Sequence, residues 1–131
     1  MHIYKKQILE HHLDTFGHVN NATYLEIYEE ARWDLIESQG YGISYIKEKH
    51  EGPVILEATV KYKKELINRE NIKIETTYGG ELNPLVMIIN QKMIKENNEI
   101  ASEASFCVGV MNLAKRKLVR PPEYWVNAIK N

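Results

Sequence analysis

The feature that most constrains the fold is one helical repeat followed by four strand-like segments. From Thr23 onward apolar side chains recur at the spacing of one helix face, and the pattern ends near Ser38–Gly40, where Gly40 is typical of a C-terminal cap. Apolar residues also lie off this face, which predicts a helix enclosed by other structure. The main face carries Tyr24, Ile27, Tyr28, Ala31 and Leu35, and the residues beside it are Leu25, Trp33 and Ile36.

After Gly52-Pro53 the pattern changes from a helical to a strand period. Strands are predicted at Ile3–Leu9, before the helix, and at Val54–Glu65, Ile72–Tyr78, Leu85–Ile94 and Ile100–Met111. Turn-forming residues separate them at Asn68-Arg69, at Gly79-Gly80 through Asn83-Pro84, and at Asn97-Asn98. The tail at 121–129 favours a short terminal helix after two prolines.

This order of elements predicts an α+β fold in which one curved antiparallel sheet wraps around the helix. A chain of 131 residues has the usual size of one domain, so we expect a single domain over residues 1–131. An open five-stranded sheet exposes its edge strands, and pairing two copies about a twofold axis covers them. We therefore expect a homodimer or a homotetramer.

Composition excludes several classes of function. Seventeen basic and eighteen acidic residues leave a net charge of -1, which gives no general attraction to nucleic acid or to an anionic membrane. No apolar run approaches the ~20 residues that span a bilayer, and residues 1–6 do not form the start of a signal peptide. We expect a cytoplasmic protein. Cys107 lies in an apolar run, which is typical of a buried, inert thiol.

The segment from Asp14 to Asn21 combines an acid, a glycine turn and a helix start. The first turn of a helix carries N–H groups without internal partners and a partial positive charge, so it can bind an oxygen that becomes negative during a reaction. A carboxylate beside such a place indicates acyl-group chemistry. The alternative is that Asp14 only forms the turn, because Asp, Gly and Asn are favoured in tight loops.

The chain resembles the hotdog-fold acyl-CoA thioesterases of the 4-hydroxybenzoyl-CoA thioesterase type. The resemblance rests on the string Asp14-x-x-Gly17-His18-Val19-Asn20-Asn21-Ala22-x-Tyr24-Leu25, followed by Ala31-Arg32, Val60-x-Tyr62 and Arg120-Pro121-Pro122. It implies a hotdog fold, in which a curved five-stranded antiparallel sheet wraps one long helix. It also implies a thioester hydrolase that releases a carboxylic acid and free CoA, with CoA as part of the substrate and no separate cofactor.

The resemblance also implies roles for individual residues. Asp14 would be the nucleophile or the general base, and the backbone N–H near Asn21 would polarise the thioester carbonyl. A thiolate whose conjugate thiol has a pKa of about 8.5 leaves readily, so no strong general acid is required. The implied catalytic residues are Asp14, His18 and Asn21, and the implied substrate contacts are Gly17, Val19, Asn20, Tyr24, Tyr28, Lys61 and Lys63. Residues 63–65 lack the proline that relatives often carry there, a departure that is expected to leave the chemistry unaffected.

Three alternatives remain open. A hydratase or dehydratase of the same fold typically spaces its Asp and His one residue further apart, with Asn-Pro between them, whereas Thr-Phe-Gly separates Asp14 from His18. A non-catalytic acyl-CoA-binding module would not need the acid at position 14. A metal cluster of His11, His12, Asp14 and His18 is disfavoured because adjacent histidines on an extended loop point apart, so no metal is expected.

Overall fold

The computed structural model describes residues 1–130, and within them a six-stranded antiparallel sheet curves around one long helix. In chain order the strands are β1 (His2–Gln7), β2 (Glu51–Tyr62), β3 (Asn71–Asn83), β4 (Val86–Ile94), β5 (Ile100–Asn112) and β6 (Lys117–Val119). The helices are α1 (Asn21–Ser38), α2 (Ile43–Lys49) and α3 (Glu123–Lys130), and a 3-10 turn covers Glu10–His12. The strand order is β1-β3-β4-β5-β2, with β6 paired to the end of β5. The expected hotdog architecture is confirmed.

Both ends of α1 are fixed by local hydrogen bonds. At its start the side-chain Oδ1 of Asn20 accepts from the N–H of Ala22 at 2.9 Å. At its end Gly40 adopts a positive φ of 85°, and the N–H of Tyr41 donates to the carbonyl of Ile36 at 2.9 Å, as in a glycine cap. The predicted C-terminal cap is therefore confirmed. No helix of residues 1–130 combines the length and the apolar character needed to cross a bilayer.

The inner face of the sheet packs on the buried face of α1. Tyr28 is fully buried, donates its hydroxyl hydrogen to Ser102 Oγ at 2.8 Å and meets the ring of Phe106 edge-on. The side of α1 next to that face is enclosed only towards its C-terminal end, where α3 packs against it. Ile36 is buried there, whereas Leu25, near the start of α1, is 41% exposed. The prediction of an enclosed helix is thus correct for one half of α1.

Two strand predictions need correction. Gly79-Gly80 was expected to begin a turn, but β3 continues through both glycines to Asn83, and the chain reverses at Pro84-Leu85. The pairing with β4 shifts between Tyr78 and Glu81, and Gly80 has φ 98°, so the glycines form a bulge inside the strand. The sheet also gains β6, a short strand that was not expected, which pairs with β5 just beyond the first residue of β4.

Cys107 lies on the outer face of the sheet and is half-buried, so the prediction of a core position is wrong. Its neighbours along β5, Phe106 and Val108, occupy the core because successive side chains point to opposite faces. Desolvation and the nearby carboxylate of Glu57, 3.8 Å from Sγ, raise the pKa of the Cys107 thiol. A raised pKa keeps the thiol protonated and unreactive at neutral pH.

His12 makes the stability of the fold depend on pH. Its side chain is buried, and Nδ1 accepts from the N–H of Leu9 at 2.8 Å, a bond that the neutral ring makes. Burial, and then the neighbouring His11, lower the pKa of His12, so the folded chain favours its neutral form. As the pH falls through about 6.5, the unfolded chain binds a proton that the folded chain resists. The contribution of His12 is therefore complete above that pH and is lost below it.

We expect replacement of His12 by asparagine, whose Oδ1 can accept the same N–H, to flatten this pH dependence. The measurement is the free energy of unfolding in urea between about pH 8 and about pH 5.5. His11→Asn is the control, because His11 is the exposed neighbour in the same turn. Equal slopes for the two variants would contradict the assignment.

Candidate active site

The loop that precedes α1 is a tight hairpin. The N–H of Asp14 donates to the carbonyl of His18 at 2.8 Å, the N–H of Gly17 donates to the carbonyl of Asp14 at 3.1 Å, and Leu13 bridges Val19. Gly17 has φ 79°, and a Cβ added to it would meet no atom within 4 Å. Glycine is therefore required here by the backbone conformation and not by lack of space.

The hairpin is tied to the connection between β2 and β3. The N–H of Val19 donates to the carbonyl of Leu66 at 3.1 Å, and His18 bridges Ile67. On its other side the N–H of Asn20 donates to the carbonyl of His12 at 3.0 Å. These bonds fix the loop against two neighbouring segments, so its side chains have defined positions.

The carboxylate of Asp14 has one occupied and one open oxygen. Oδ1 accepts from the N–H of Phe16 at 2.8 Å and, over a longer 3.4 Å, from the N–H of His18. Oδ2 accepts no hydrogen bond from any group of residues 1–130. Asp14 therefore does stabilise the turn, as the simpler interpretation held, but only one of its oxygens is used for this.

At the start of α1 the backbone N–H of Asn21 is left without an acceptor among residues 1–130. The N–H of Ala22 donates to Asn20 Oδ1, and the N–H of Thr23 donates to the carbonyl of Asn20, both at 2.9 Å. The N–H of Asn21 has no acceptor within the part of the chain that the structure describes. The carbonyl of Asn21 accepts from the hydroxyl of Tyr62 at 3.0 Å, which links the helix start to the end of β2.

The acid and the helix start line one open cleft of about 340 Å³. The predicted residues at this cleft are Asp14, His18, Val19, Asn21, Tyr24 and Lys63, and the residues that the sequence did not indicate are Tyr62, Lys64 and Glu65. The structure therefore brings all three predicted catalytic residues together. Tyr24 packs edge-on against Tyr62 at 4.9 Å, and burial raises its pKa to about 12, so its hydroxyl stays protonated.

Each basic side chain at the cleft lies near a carboxylate. Nε2 of His18 lies 2.9 Å from a carboxylate oxygen of Glu65, and Nζ of Lys63 lies 3.1 Å from one of Glu103. The Lys63 ammonium lowers the pKa of the Glu103 carboxyl through a hydrogen bond. The contact with His18 places Glu65 at the cleft, although the missing proline at residues 63–65 was not expected to affect the chemistry. Nothing in the local sequence signals it, because the pair forms only when the β2–β3 connection folds back onto the hairpin.

Four predicted substrate contacts lie away from the cleft. Gly17 closes the turn, Asn20 caps α1, and Tyr28 is fully buried in the core. Lys61 lines a separate cleft of about 420 Å³, together with residues of β4 and β5. Lys61 and Lys63 were both predicted substrate contacts, and residues two apart on a strand share a face. However, β2 ends at Tyr62, so of the two only Lys63, beyond that end, lines the cleft.

The histidines before the hairpin do not form a metal centre with Asp14. The ring centroids of His11 and His12 are 4.1 Å apart with the rings tilted by 46°, and Nδ1 of His12 accepts from the N–H of Leu9. Among residues 1–130 no three His, Cys, Asp or Glu side chains are grouped to hold an ion. That the reaction needs no metal stays a prediction.

An acid and a helix start that line one cleft can carry out the chemistry of a thioester hydrolase, and the sequence comparison agrees with this class. Residues 9–129 match the family model described as the thioesterase-like superfamily, which is nearly the whole chain. The chain belongs to this superfamily. The expected family and the expected class of enzyme, a thioester hydrolase, are confirmed.

Individual relatives support the same conclusion. The chain is 28% identical over 108 residues to the long-chain acyl-CoA thioesterase FadM of Escherichia coli strain K12, covering 82% of this chain and 80% of FadM. Slr0204, a 1,4-dihydroxy-2-naphthoyl-CoA thioesterase from Synechocystis, superposes with a TM-score of 0.88 at 16% identity, over 98% and 94% of the two chains. SAV2348 from Staphylococcus aureus, whose structure contains CoA, gives 0.89 at 16% identity, over 97% and 80%. At these identities the structures establish the fold.

Proposed function

We propose that this protein hydrolyses an acyl-CoA thioester to a carboxylic acid and free CoA. The observation that carries the proposal is that Asp14, with its open Oδ2, and Asn21, with its unpaired N–H, line the same cleft. The similarity to FadM, described as an acyl-CoA thioesterase, and to a protein of the same fold with CoA bound supports the choice of substrate.

In this proposal the thioester carbonyl oxygen accepts a hydrogen bond from the N–H of Asn21. The partial positive charge of the helix start stabilises the negative oxygen of the tetrahedral intermediate. Oδ2 of Asp14 either removes a proton from the water that attacks the carbonyl carbon, or attacks that carbon itself to form a mixed anhydride that water then hydrolyses to the acid and free Asp14. By either route the carbon–sulfur bond breaks and the thiolate of CoA leaves and takes up a proton. Glu65 holds the ring of His18 at the cleft, which makes His18 a positioning residue for water or for the loop.

The lining of the cleft also indicates which residue binds the CoA part of the substrate. Lys63 is the predicted cation that lines it, so we assign Lys63, and not Lys61, to the phosphates of CoA. We propose no retained cofactor, because CoA enters and leaves as part of the substrate. A cytoplasmic location, and the absence of nucleic-acid and membrane partners, stay predictions from the sequence.

We further propose that the protein assembles as a homodimer through β2. β2 is an edge of the sheet, pairs only with β5 and has twelve residues, whereas the other edge, β1, has six. Ile55 and Tyr62 on β2 remain exposed in the single chain. Antiparallel pairing of two β2 edges joins the sheets and covers these side chains. A tetramer built from two such dimers uses the same contact.

We expect purified protein to release CoA from acyl-CoA thioesters in an assay that contains EDTA, so that turnover does not depend on an added metal. A panel of short, long and aromatic acyl groups identifies the preferred substrate, because a pocket selects by shape and length. A 2-enoyl-CoA in the same panel tests the hydratase alternative through loss of its enoyl absorbance. Tight binding of acyl-CoA without release of CoA from any thioester would favour a binding module and contradict the proposal.

A further inference from the structure

The connection between β2 and β3 makes the contacts that fix the hairpin before α1. The carbonyl of Leu66 accepts from the N–H of Val19 at 3.1 Å, and a carboxylate oxygen of Glu65 lies 2.9 Å from Nε2 of His18. Residues 63–70 lie between the two strands and outside both of them. The position of the hairpin therefore depends on what holds this connection in place.

Lys95, the residue that follows β4, holds the connection with its side chain. Its Nζ donates to the carbonyl of Glu65 at 2.5 Å and to Oε1 of Glu70 at 3.0 Å. Within residues 1–130 the carbonyl of Glu65 accepts no other hydrogen bond. Oε1 of Glu70 also accepts from the N–H of Ile67, over a longer 3.4 Å. One ammonium group thus binds the connection near its middle and at its end.

The pair of Lys95 and Glu70 is the most enclosed ion pair within residues 1–130, with side chains 13% and 8% exposed. A buried ion pair adds little to stability relative to apolar side chains of similar size, because both charges lose their water. What apolar side chains could not supply is a hydrogen bond to the carbonyl of Glu65. The pair therefore contributes more to the position of the connection than to stability.

The turn between β4 and β5, which carries Lys95, is itself fixed. The N–H of Lys95 donates to the carbonyl of Glu99, and the N–H of Asn98 donates to the carbonyl of Lys95, both at 2.9 Å. The same turn holds the start of β3, because Oε1 of Glu96 accepts from the N–H of Asn71 at 2.7 Å. A closed turn at the end of a strand gives Lys95 a defined base from which to bind the connection.

We propose that Lys95 is a positioning residue for the reaction, an inference that rests on the proposed function. Lys95 is not among the residues of 1–130 that line the cleft, so it acts through the connection and not on the substrate. By holding the backbone of Glu65, it sets the place from which the carboxylate of Glu65 reaches His18. It likewise fixes the neighbouring carbonyl of Leu66, to which Val19 is bonded. Val19 lies between the acid and the helix start in the chain, so the geometry of both depends on this bond.

We expect Lys95→Met to lower kcat for acyl-CoA hydrolysis about 10–100-fold, because a misplacement of about 1 Å caused far from the chemistry can have an effect of this size. KM should change less than about twofold, since Lys95 does not line the cleft. Lys95→Met combined with Glu70→Gln leaves no unpaired buried charge, so this double variant should stay folded and show the same loss of kcat. Wild-type kcat in the double variant would overturn the proposal.

The matched control combines Lys6→Met with Glu30→Gln. This variant removes an ion pair between β1 and α1, in which Nζ of Lys6 lies 2.7 Å from Oε2 of Glu30. Neither residue is among those of 1–130 that line the cleft, so kcat should stay at the wild-type value. A loss of kcat equal to that of the Lys95 variants would show that any missing ion pair lowers activity, and the proposal would fail.

Amide hydrogen exchange reports the position of the hairpin without any substrate. The N–H of Val19 is bound to Leu66, whereas the N–H of Tyr41 is bound to Ile36 at the other end of α1. In both Lys95 variants we expect the amide of Val19 to exchange at least about tenfold faster and that of Tyr41 to exchange at the wild-type rate. Equal acceleration of the two amides would show a global loss of stability and overturn the proposal.

The exchange measurement also separates this inference from the proposed function. If the wild type released no CoA from any thioester, the hydrolase proposal would fail, while faster exchange at Val19 alone would still show that Lys95 positions the hairpin. If the wild type hydrolysed acyl-CoA and the Lys95 variants kept its kcat, hydrolysis would stand and the positioning role would fail.

Discussion

Asp14→Asn lowers kcat for acyl-CoA hydrolysis by about 10²–10⁴-fold, the range for loss of a positioned general base. Asparagine keeps an Oδ1 that can accept the N–H of Phe16, now bound at 2.8 Å, so the turn is preserved. What the substitution removes is the negative charge on Oδ2, the oxygen that faces no protein donor within residues 1–130. The expected loss is therefore chemical and not structural.

Two further variants separate the catalytic role of Asp14 from its role in the turn. Asp14→Ala loses the charge and the turn hydrogen bond, so it should lose the same activity and also about 1 kcal/mol of unfolding free energy. Asp34→Asn is the charge-matched control, because Asp34 lies on α1 and pairs with His2. If Asp14→Asn kept wild-type kcat while Asp14→Ala unfolded more easily, Asp14 would be a turn residue only.

Asn21→Pro is expected to lower kcat by about 10²–10³-fold, equivalent to about 2.7–4 kcal/mol, the usual effect of removing one oxyanion donor. Proline has no N–H and is well tolerated at the first position of a helix. Asn20, which would precede it, has φ -60° and ψ 140°, the extended conformation that a residue before proline requires. The helix can therefore start normally without the amide hydrogen of Asn21, which has no acceptor within residues 1–130.

Asn21→Ala is the matched control, because it removes the side chain and keeps the backbone N–H. Its kcat should stay close to that of the wild type, and the melting temperatures of both variants should remain within a few degrees of it. Equal activity of Asn21→Pro and Asn21→Ala would show that the amide does not bind the carbonyl oxygen, and the proposed mechanism would need another donor.

Much of the fold can be predicted from the sequence because its determinants are local. The cap at Gly40 and the apolar face from Tyr24 to Leu35 define α1 within a few residues. The cleft is predictable for the same reason, since Asp14, His18 and Asn21 lie within eight residues of a single hairpin and helix start. A short segment that folds on itself brings its own side chains together.

The errors arise where distant segments decide the outcome. Tyr24 and Tyr28 share one helix face, yet Tyr24 lines the cleft and Tyr28 bonds to Ser102 in the core. Gly79-Gly80 suits a turn and a bulge equally, and the pairing of β3 with β4 selects the bulge. The helix α2 was not predicted from the sequence. It has no side-chain cap at its start, and ring contacts with a distant segment, such as that of Tyr45 with Tyr124, accompany it.

The tether between Asp14 Oδ1 and the N–H of Phe16 has a consequence for turnover. A free carboxylate on a mobile loop would have to lose rotational freedom each time a substrate arrives, which raises the activation barrier. Here that entropy is lost when the chain folds, before any substrate binds. In the proposed reaction the acid therefore meets successive substrate molecules in one orientation.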